Sequence, residues 1–297
     1  MDDKFKESLK KQLMSEQRLD INIVMKGQYL KAYELLKRAI GARLTPIIVG
    51  PPGIGKSLLV RKFAADTNQK FYEVFFDELM RPPYLIGSYD PSMVLRKGYC
   101  LDSLEPGPLL RAMVEGGIFV AQELNRATEF CQNSLLEPLE ERSYYIPRIG
   151  RVRAHENFAF IAVANPMEMA GIHSLSEALR DRLRVWIDLD YPEKEVELEI
   201  IKINNPEYAI DTDTLEKVYQ IVAETRKNPS IEHPASVRSG ISIARLIERH
   251  LAMEGELSTE TIADYAYHVL IGSVKVKQLS DQNPNDIVRQ IIQETLG

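Results

Sequence analysis

Thr45-Pro-Ile-Ile-Val49 runs directly into Gly50-Pro-Pro-Gly-Ile-Gly-Lys56-Ser57, and the fold follows from how these residues are read. A short apolar run that stops at a glycine reads as a buried strand. The next stretch matches G-x-x-x-x-G-K-[ST], and Lys56–Ala65 continues as an amphipathic helix. In a strand–loop–helix setting the glycines let the backbone wrap around phosphate with its N–H groups pointing inward. On this reading Gly50, Pro51, Pro52, Gly53, Ile54, Gly55, Lys56, Ser57 and Leu58 hold a nucleotide. Lys56 reaches the β- and γ-phosphates, and Ser57 gives a hydroxyl oxygen to Mg²⁺.

Working outward, Phe71–Phe76 is aromatic and strand-like, and Ile118–Ala121, Phe158–Ala164 and Val185–Leu189 are apolar runs of strand length. Helical patterns lie between them. Before the loop, Tyr29–Ile40 carries apolar residues at 30, 32, 35, 36 and 40, a helical spacing. Strands alternating with helices predict a parallel sheet covered on both faces. Two stretches interrupt the alternation. Gly87–Pro108 is rich in Gly, Pro, Tyr and Ser, and Ser143–Asn157 reads as a hairpin turning near Ile149-Gly150-Arg151. After Tyr191-Pro192 the pattern is helical over Glu193–Asn204, Thr212–Lys227, Val237–Met253 and Thr259–Ile271. The predicted fold is an α/β domain with a P-loop parallel sheet, followed by a small all-α lid. The predicted divisions are a tail or helix over 1–24, a nucleotide-binding domain over 25–191 and a helical lid over 192–297.

Composition agrees. The 297 residues are 44% hydrophobic and 27% charged, which excludes an intrinsically disordered chain. A net charge of −6 counts against a general polyanion binder. Two cysteines, Cys100 and Cys131, are too few for a disulfide framework or a cysteine-rich zinc site, and they suit a reducing compartment. Neither has a histidine or basic cluster beside it in sequence, so both read as structural. The segment MDDKFKESLKKQ lacks the apolar core of a signal peptide, and the longest apolar runs fall far short of a bilayer span. The expectation is a cytoplasmic chain without membrane insertion.

A phosphate loop of this kind works with a second strand that ends in acids beside the metal. Ile118-Phe-Val-Ala-Gln122-Glu123 is that candidate. Glu123 is placed to polarise an attacking water as a general base. Gln122 stands where an aspartate is expected to orient the Mg²⁺ shell. It offers a carbonyl oxygen to a metal-bound water but no charge. The competing reading makes the strand plain core and Glu123 a solvated strand-end acid.

Gln122-Glu-Leu-Asn-Arg-Ala127 resembles the D-E-[IL]-N-R-A segment of MoxR-type AAA+ ATPases, a group that includes the CbbQ, NorQ and GvpN relatives. Gly87-Ser88 with Pro106-Gly-Pro-Leu109, Asn133-Ser-Leu-Leu-Glu-Pro-Leu-Glu140, Ala164-Asn165-Pro166 and Leu175-Ser-Glu-Ala-Leu-Arg-Asp-Arg182 resemble further family segments in the same order, over about residues 25–275. The resemblance implies an AAA+ core and a site shared between subunits. It implies that Asn165 bonds the attacking water or the γ-phosphate, and that Arg182, with Arg180 as competitor, reaches a neighbouring subunit's ATP. Ala235-Ser-Val-Arg238 is similar to the lid segment whose arginine contacts the γ-phosphate. Here Val237 replaces a frequent proline, and Arg245, seven residues on, is the alternative. The hairpin carries Arg142, Arg148, Arg151, Arg153 and His155, which either face a ring pore or are solvated charges. Met167, Met169 and Gly171-Ile172-His173 read as loop and core edge, with His173 no metal ligand.

The expected activity is therefore hydrolysis of ATP with Mg²⁺ by a homo-oligomer, a hexamer, that remodels, assembles or activates a partner. By resemblance that partner is often a protein with a von Willebrand A domain. A rival reading, motivated by Gln122, is an ATP-binding scaffold with little turnover. A third, motivated by the arginine-rich hairpin, is a nucleic-acid motor.

Overall fold

The computed structural model describes residues 21–165, 175–207, 209–277 and 283–297. Residues 1–20 of the expected tail, and Pro166, Met167, Met169 and Gly171-Ile172-His173, lie outside them. Residues 21–26 are neither helix nor strand, and helix α1 follows at Gly27–Gly41. Its buried stripe is Tyr29, Ala32, Leu36 and Ala39, while Leu30 and Leu35 are exposed. Of the apolar positions 30, 32, 35, 36 and 40, Ala32 and Leu36 lie on this stripe, and Leu30 and Leu35 do not. Tyr29 is the inward residue because its hydroxyl finds an acceptor inside, as described below.

Next come β1 (Pro46–Val49), α2 (Lys56–Thr67) and β2 (Phe71–Phe75). An excursion of α3 (Pro82–Ile86), β3 (Gly87–Tyr89), α4 (Pro91–Lys97) and β4 (Leu104–Pro106) leads into α5 (Pro108–Glu115) and β5 (Ile118–Gln122). The excursion closes on itself. β3 and β4 pair antiparallel, Gly107 N–H donates to the Ile86 carbonyl at 2.9 Å, and a Cβ on Gly87 would lie 2.2 Å from the Glu105 carbonyl oxygen. A Cβ on Gly107 would meet the Leu85 carbonyl oxygen at 2.4 Å. Within it, α4 starts at Pro91 under an Asp90 cap and buries none of its residues.

After β5 come α6 (Glu129–Asn133), α7 (Leu136–Glu140), the antiparallel pair β6 (Ser143–Ile146) and β7 (Gly150–Arg153), β8 (Ala159–Ala164), α8 (Glu177–Arg182) and β9 (Val185–Asp188). The main sheet is ordered β2-β5-β8-β1-β9 with every pairing parallel. Alternate residues feed two cores, as the two-residue period of a strand requires. Ile47, Val49, Phe119, Ala121, Phe160 and Ala162 point to one face, with Leu109 and Met113 of α5. Ile48, Ile118, Val120, Ile161 and Val163 point to the other, with Leu36 of α1 and Leu59 and Phe63 of α2. Both faces being covered explains why β1, β5 and β8 are buried at every position.

The rest is mostly helical: α9 (Lys194–Ile203), α10 (Thr212–Lys227), β10 (Ile231–His233), α11 (Val237–Glu254), α12 (Thr259–Leu270), β11 (Lys275–Val276) and α13 (Pro284–Leu296). Val218, Ile221, Ile243, Ile247, Ala266, Leu270 and Val288 form its core. The β10–β11 ladder and α13 go beyond the sequence reading. The strands are too short to display a period. The Asn283 cap, Pro284 at the first turn, and Ile287 and Ile291 at helical spacing were signals that could have located α13. None of the described helices is long and apolar enough to cross a membrane.

Candidate nucleotide site

The loop between β1 and α2 is held in a shape that its glycines permit. Gly53 and Gly55 have φ of +75° and +93°, left-handed values that cost a side-chain-bearing residue energy. A Cβ on Gly53 would sit 2.5 Å from Ser236 Oγ, so the loop passes directly under the start of α11. Gly55 is the N-cap of α2 and supplies no side-chain cap. The first amides of α2 have no intrahelical acceptors, so this end suits an anion.

The buried Tyr29 hydroxyl donates to the Ile54 carbonyl at 2.7 Å. Burial, with the nearby Glu197 carboxylate, holds that phenol well above the usual tyrosine range. Lys56 Nζ lies across the loop, donating to the Gly50 and Pro51 carbonyls at 2.6 and 2.7 Å. Ser57 Oγ donates to Gln122 Oε1 at 3.1 Å.

Gln122 is 2% exposed, and its amide also donates through Nε2 to Glu73 Oε1 at 2.8 Å. Glu73 in turn pairs with Arg61 at 2.6 Å. Sequence reasoning passed over Tyr29, Arg61 and Glu73. The signal for Glu73 was a single charge inside Phe71–Phe76, and the signal for Arg61 was its place one turn after Ser57 on α2.

Glu123 follows with φ +54° and ψ 38°, a left-handed backbone that turns its carboxylate off the end of β5. Arg126 donates to Glu123 Oε2 at 2.6 Å. Asn165, at the end of β8, lines a cleft of about 710 Å³ together with Pro52, Ser236 and Arg238. The structure therefore brings loop, strand end and α11 around one space. Arg245 is turned elsewhere and donates to the Asn204 carbonyl at 3.1 Å.

Arg182 is bound within the chain: Nε donates to Glu140 Oε2 at 2.9 Å, and a second nitrogen donates to the Ala178 carbonyl at 2.8 Å. Arg180 is exposed and stacks over Trp186, 5.0 Å from the ring centroid.

The β6–β7 hairpin does not offer its cations as a set. Arg142 donates to the carbonyls of His155, Glu156 and Phe158, and burial lowers its pKa. Arg148 stacks on Tyr99 at 4.1 Å, Tyr89 Oη donates to the Pro147 carbonyl, and Arg151 bonds Ser143 and Glu137. Burial pushes the Cys131 thiol up to about 11, as for a core residue, whereas Ser103 beside Cys100 lowers that thiol's pKa. No cluster of three His, Cys, Asp or Glu suited to a metal occurs among the described residues.

Residues 46–183 match the AAA domain of the dynein-related subfamily. The gas vesicle ATPase GvpN of Haloferax mediterranei is 27% identical over 250 residues, covering 79% of this chain and 69% of GvpN. The chaperone MoxR1 of Mycobacterium tuberculosis is 33% identical over 156 residues, 52% of this chain and 38% of that protein. In fold, the solved structure of NtrX from Brucella abortus in complex with ATP aligns with a TM-score of 0.54 at 18% identity, over 98% of this chain and 65% of that one.

Proposed function

We propose that the chain is a MoxR-type AAA+ ATPase that binds ATP with Mg²⁺ over the Gly50–Ser57 loop and hydrolyses it to remodel, assemble or activate a partner protein. The observation that carries this is the meeting of the Ser57 hydroxyl and the Gln122 carbonyl oxygen, 3.1 Å apart, at a glycine-capped helix start. Hard oxygens beside an anion site suit Mg²⁺. When bound there, Mg²⁺ neutralises charge on the β- and γ-phosphates.

The residues of the loop do the rest. Lys56 exchanges the Gly50 and Pro51 carbonyls for phosphate oxygens. Glu123 takes a proton from the attacking water, with Asn165 orienting that water. Arg238 contacts the γ-phosphate from the lid. Arg182 of a neighbouring copy, or Arg180 in its place, stabilises charge in the transition state. To do so Arg182 leaves Glu140. Such sharing requires an oligomeric ring, which we propose is a hexamer acting in the cytoplasm. Its moving parts are the α/β domain over 25–191 and the lid over 192–297, and the Gly53–Ser236 contact supports coupling between them. The von Willebrand A class of partner rests on the resemblance alone.

A second reading, an ATP-binding scaffold with little turnover, is favoured by the neutral Gln122 and by the Glu123–Arg126 bond. Mg²⁺-dependent release of phosphate by the purified oligomer, beside Glu123→Gln, separates the two. Turnover that the substitution abolishes supports the ATPase. ATP binding without turnover supports the scaffold.

A further inference from the structure

We propose that Glu73 is a positioning residue for the metal: from its place on β2 it fixes which end of the Gln122 amide faces Ser57. The inference rests on the Mg²⁺–ATP reading above.

A glutamine amide has two ends of nearly equal size, one accepting and one donating. With its –NH₂ toward Ser57, Gln122 would present a donor to a cation. A neighbour that only accepts removes that choice, and Glu73 is such a neighbour. Its Oε1 accepts a hydrogen bond from Gln122 Nε2 at 2.8 Å, which turns Oε1 of Gln122 to Ser57. Its Oε2 accepts from Arg61 at 2.6 Å, so the carboxylate is held from both sides.

Strand register makes this reach possible. Phe75 pairs with Gln122, and Glu73, two residues earlier on β2, points to the same face. The Glu73 side chain is only 13% exposed and its charge is balanced by Arg61, so it acts on Gln122 through their hydrogen bond. A carboxylate bonded to an amide N–H also raises the negative partial charge on the amide oxygen. The chain thereby places the acid one hydrogen bond behind the metal shell instead of within it. Groups that orient metal ligands in this way are worth about 10- to 100-fold in metal affinity.

The test is Mg²⁺-linked binding of a fluorescent ATP analogue to the full-length oligomer, followed by titration without reading turnover. In the parent, Mg²⁺ tightens binding. Glu73→Ala is expected to need about 10-fold more Mg²⁺ for the same half-maximal tightening, with affinity in EDTA unchanged. Glu73→Gln, which keeps the shape, shifts the requirement less and in the same direction. Gln122→Glu alone sets two carboxylates together where the amide now bridges, and lowers the thermal midpoint in metal-free buffer.

The double exchange Glu73→Gln with Gln122→Glu restores one carboxylate and one amide. It is expected to return the Mg²⁺ requirement to the parent value or below. It also carries the test if Glu73→Ala does not fold. An unchanged Mg²⁺ requirement in Glu73→Ala, or in Glu73→Gln where only that variant folds, overturns the inference alone. A double exchange that remains as impaired as the single variants does the same. A parent that binds ATP equally with and without Mg²⁺ overturns the inference together with the reading beneath it.

Discussion

The Tyr29 hydroxyl donates to the Ile54 carbonyl, joining the first described helix to the middle of the phosphate loop. The bond is buried, and burial holds the phenol above the usual tyrosine range, so the donor keeps its proton. Tyr29→Phe leaves the Ile54 carbonyl without its donor and is expected to lower stability by about 1–2 kcal/mol. Urea unfolding measures this; an unchanged midpoint would show that the loop carbonyl is satisfied in another way.

Lys56→Ala separates binding from folding. The half-buried ammonium rests on the Gly50 and Pro51 carbonyls. Stability is expected to fall by only about 1–2 kcal/mol, leaving the fold intact, while ATP affinity falls by about tenfold or more. Calorimetric titration and a melting curve on the same sample check both halves.

Glu123 pairs a chemical role with a strained backbone. Glu123→Gln is expected to cut turnover by about 10²–10⁴-fold and to keep ATP binding. Glu123→Gly is equally inactive but relieves a left-handed penalty of about 1 kcal/mol. Its melting temperature should therefore equal or exceed the parent's. A clear drop would mean that the Arg126 bond outweighs the strain.

Glu197 is fully buried on α9 and receives two bonds from Arg226, at 2.7 and 2.6 Å. Arg226 also stacks on Tyr191 at 4.0 Å and donates to the Ala235 carbonyl, just before Ser236. Arg226→Ala leaves a buried carboxylate alone and is expected to cost about 3–5 kcal/mol. Denaturant unfolding tests this, and a loss under about 1 kcal/mol would show that water reaches Glu197.

Asp211 caps α10, accepting from the Thr214 amide at 2.9 Å and its hydroxyl at 2.7 Å. The hydroxyl bond, then the amide bond, lowers the carboxyl below its ordinary 3.8. A depressed folded pKa gives stability that is present above the unfolded value and is lost as pH falls through the folded one. Asp211→Ala is therefore expected to cost about 1 kcal/mol at pH 7, and the difference should shrink as pH drops below about 4. A penalty that stays constant down to pH 2 would place the effect outside the carboxylate.

How much of this was legible in the sequence differs from residue to residue. The loop Gly50–Ser57 was readable because its chemistry depends on spacing within one short segment. The parallel strands were readable because burial on two faces leaves continuous apolar runs. The helix over 29–40 was readable from its apolar spacing, but the inward place of Tyr29 was not, because its contact is a hydrogen bond to a loop 25 residues away. The Glu73–Gln122 bond joins residues 49 apart through strand adjacency, which no local pattern encodes. The hairpin arginines could be counted from sequence, but their carbonyl, hydroxyl and ring partners are set by tertiary packing.

The neck at Gly87 and Gly107 has a consequence for how this chain can vary over time. Both backbones approach a carbonyl so closely that neither position tolerates a side chain, and the segment between them leaves and rejoins the core at nearly one point. That geometry leaves the segment tied to the rest of the chain chiefly at the neck and through Tyr89, Tyr99 and Leu104. Changes between the two glycines are expected to spare the strand register of the main sheet, provided that Tyr89 and Tyr99 keep their hold on Pro147 and Arg148. Drift should therefore be fast inside the neck and nearly frozen at it.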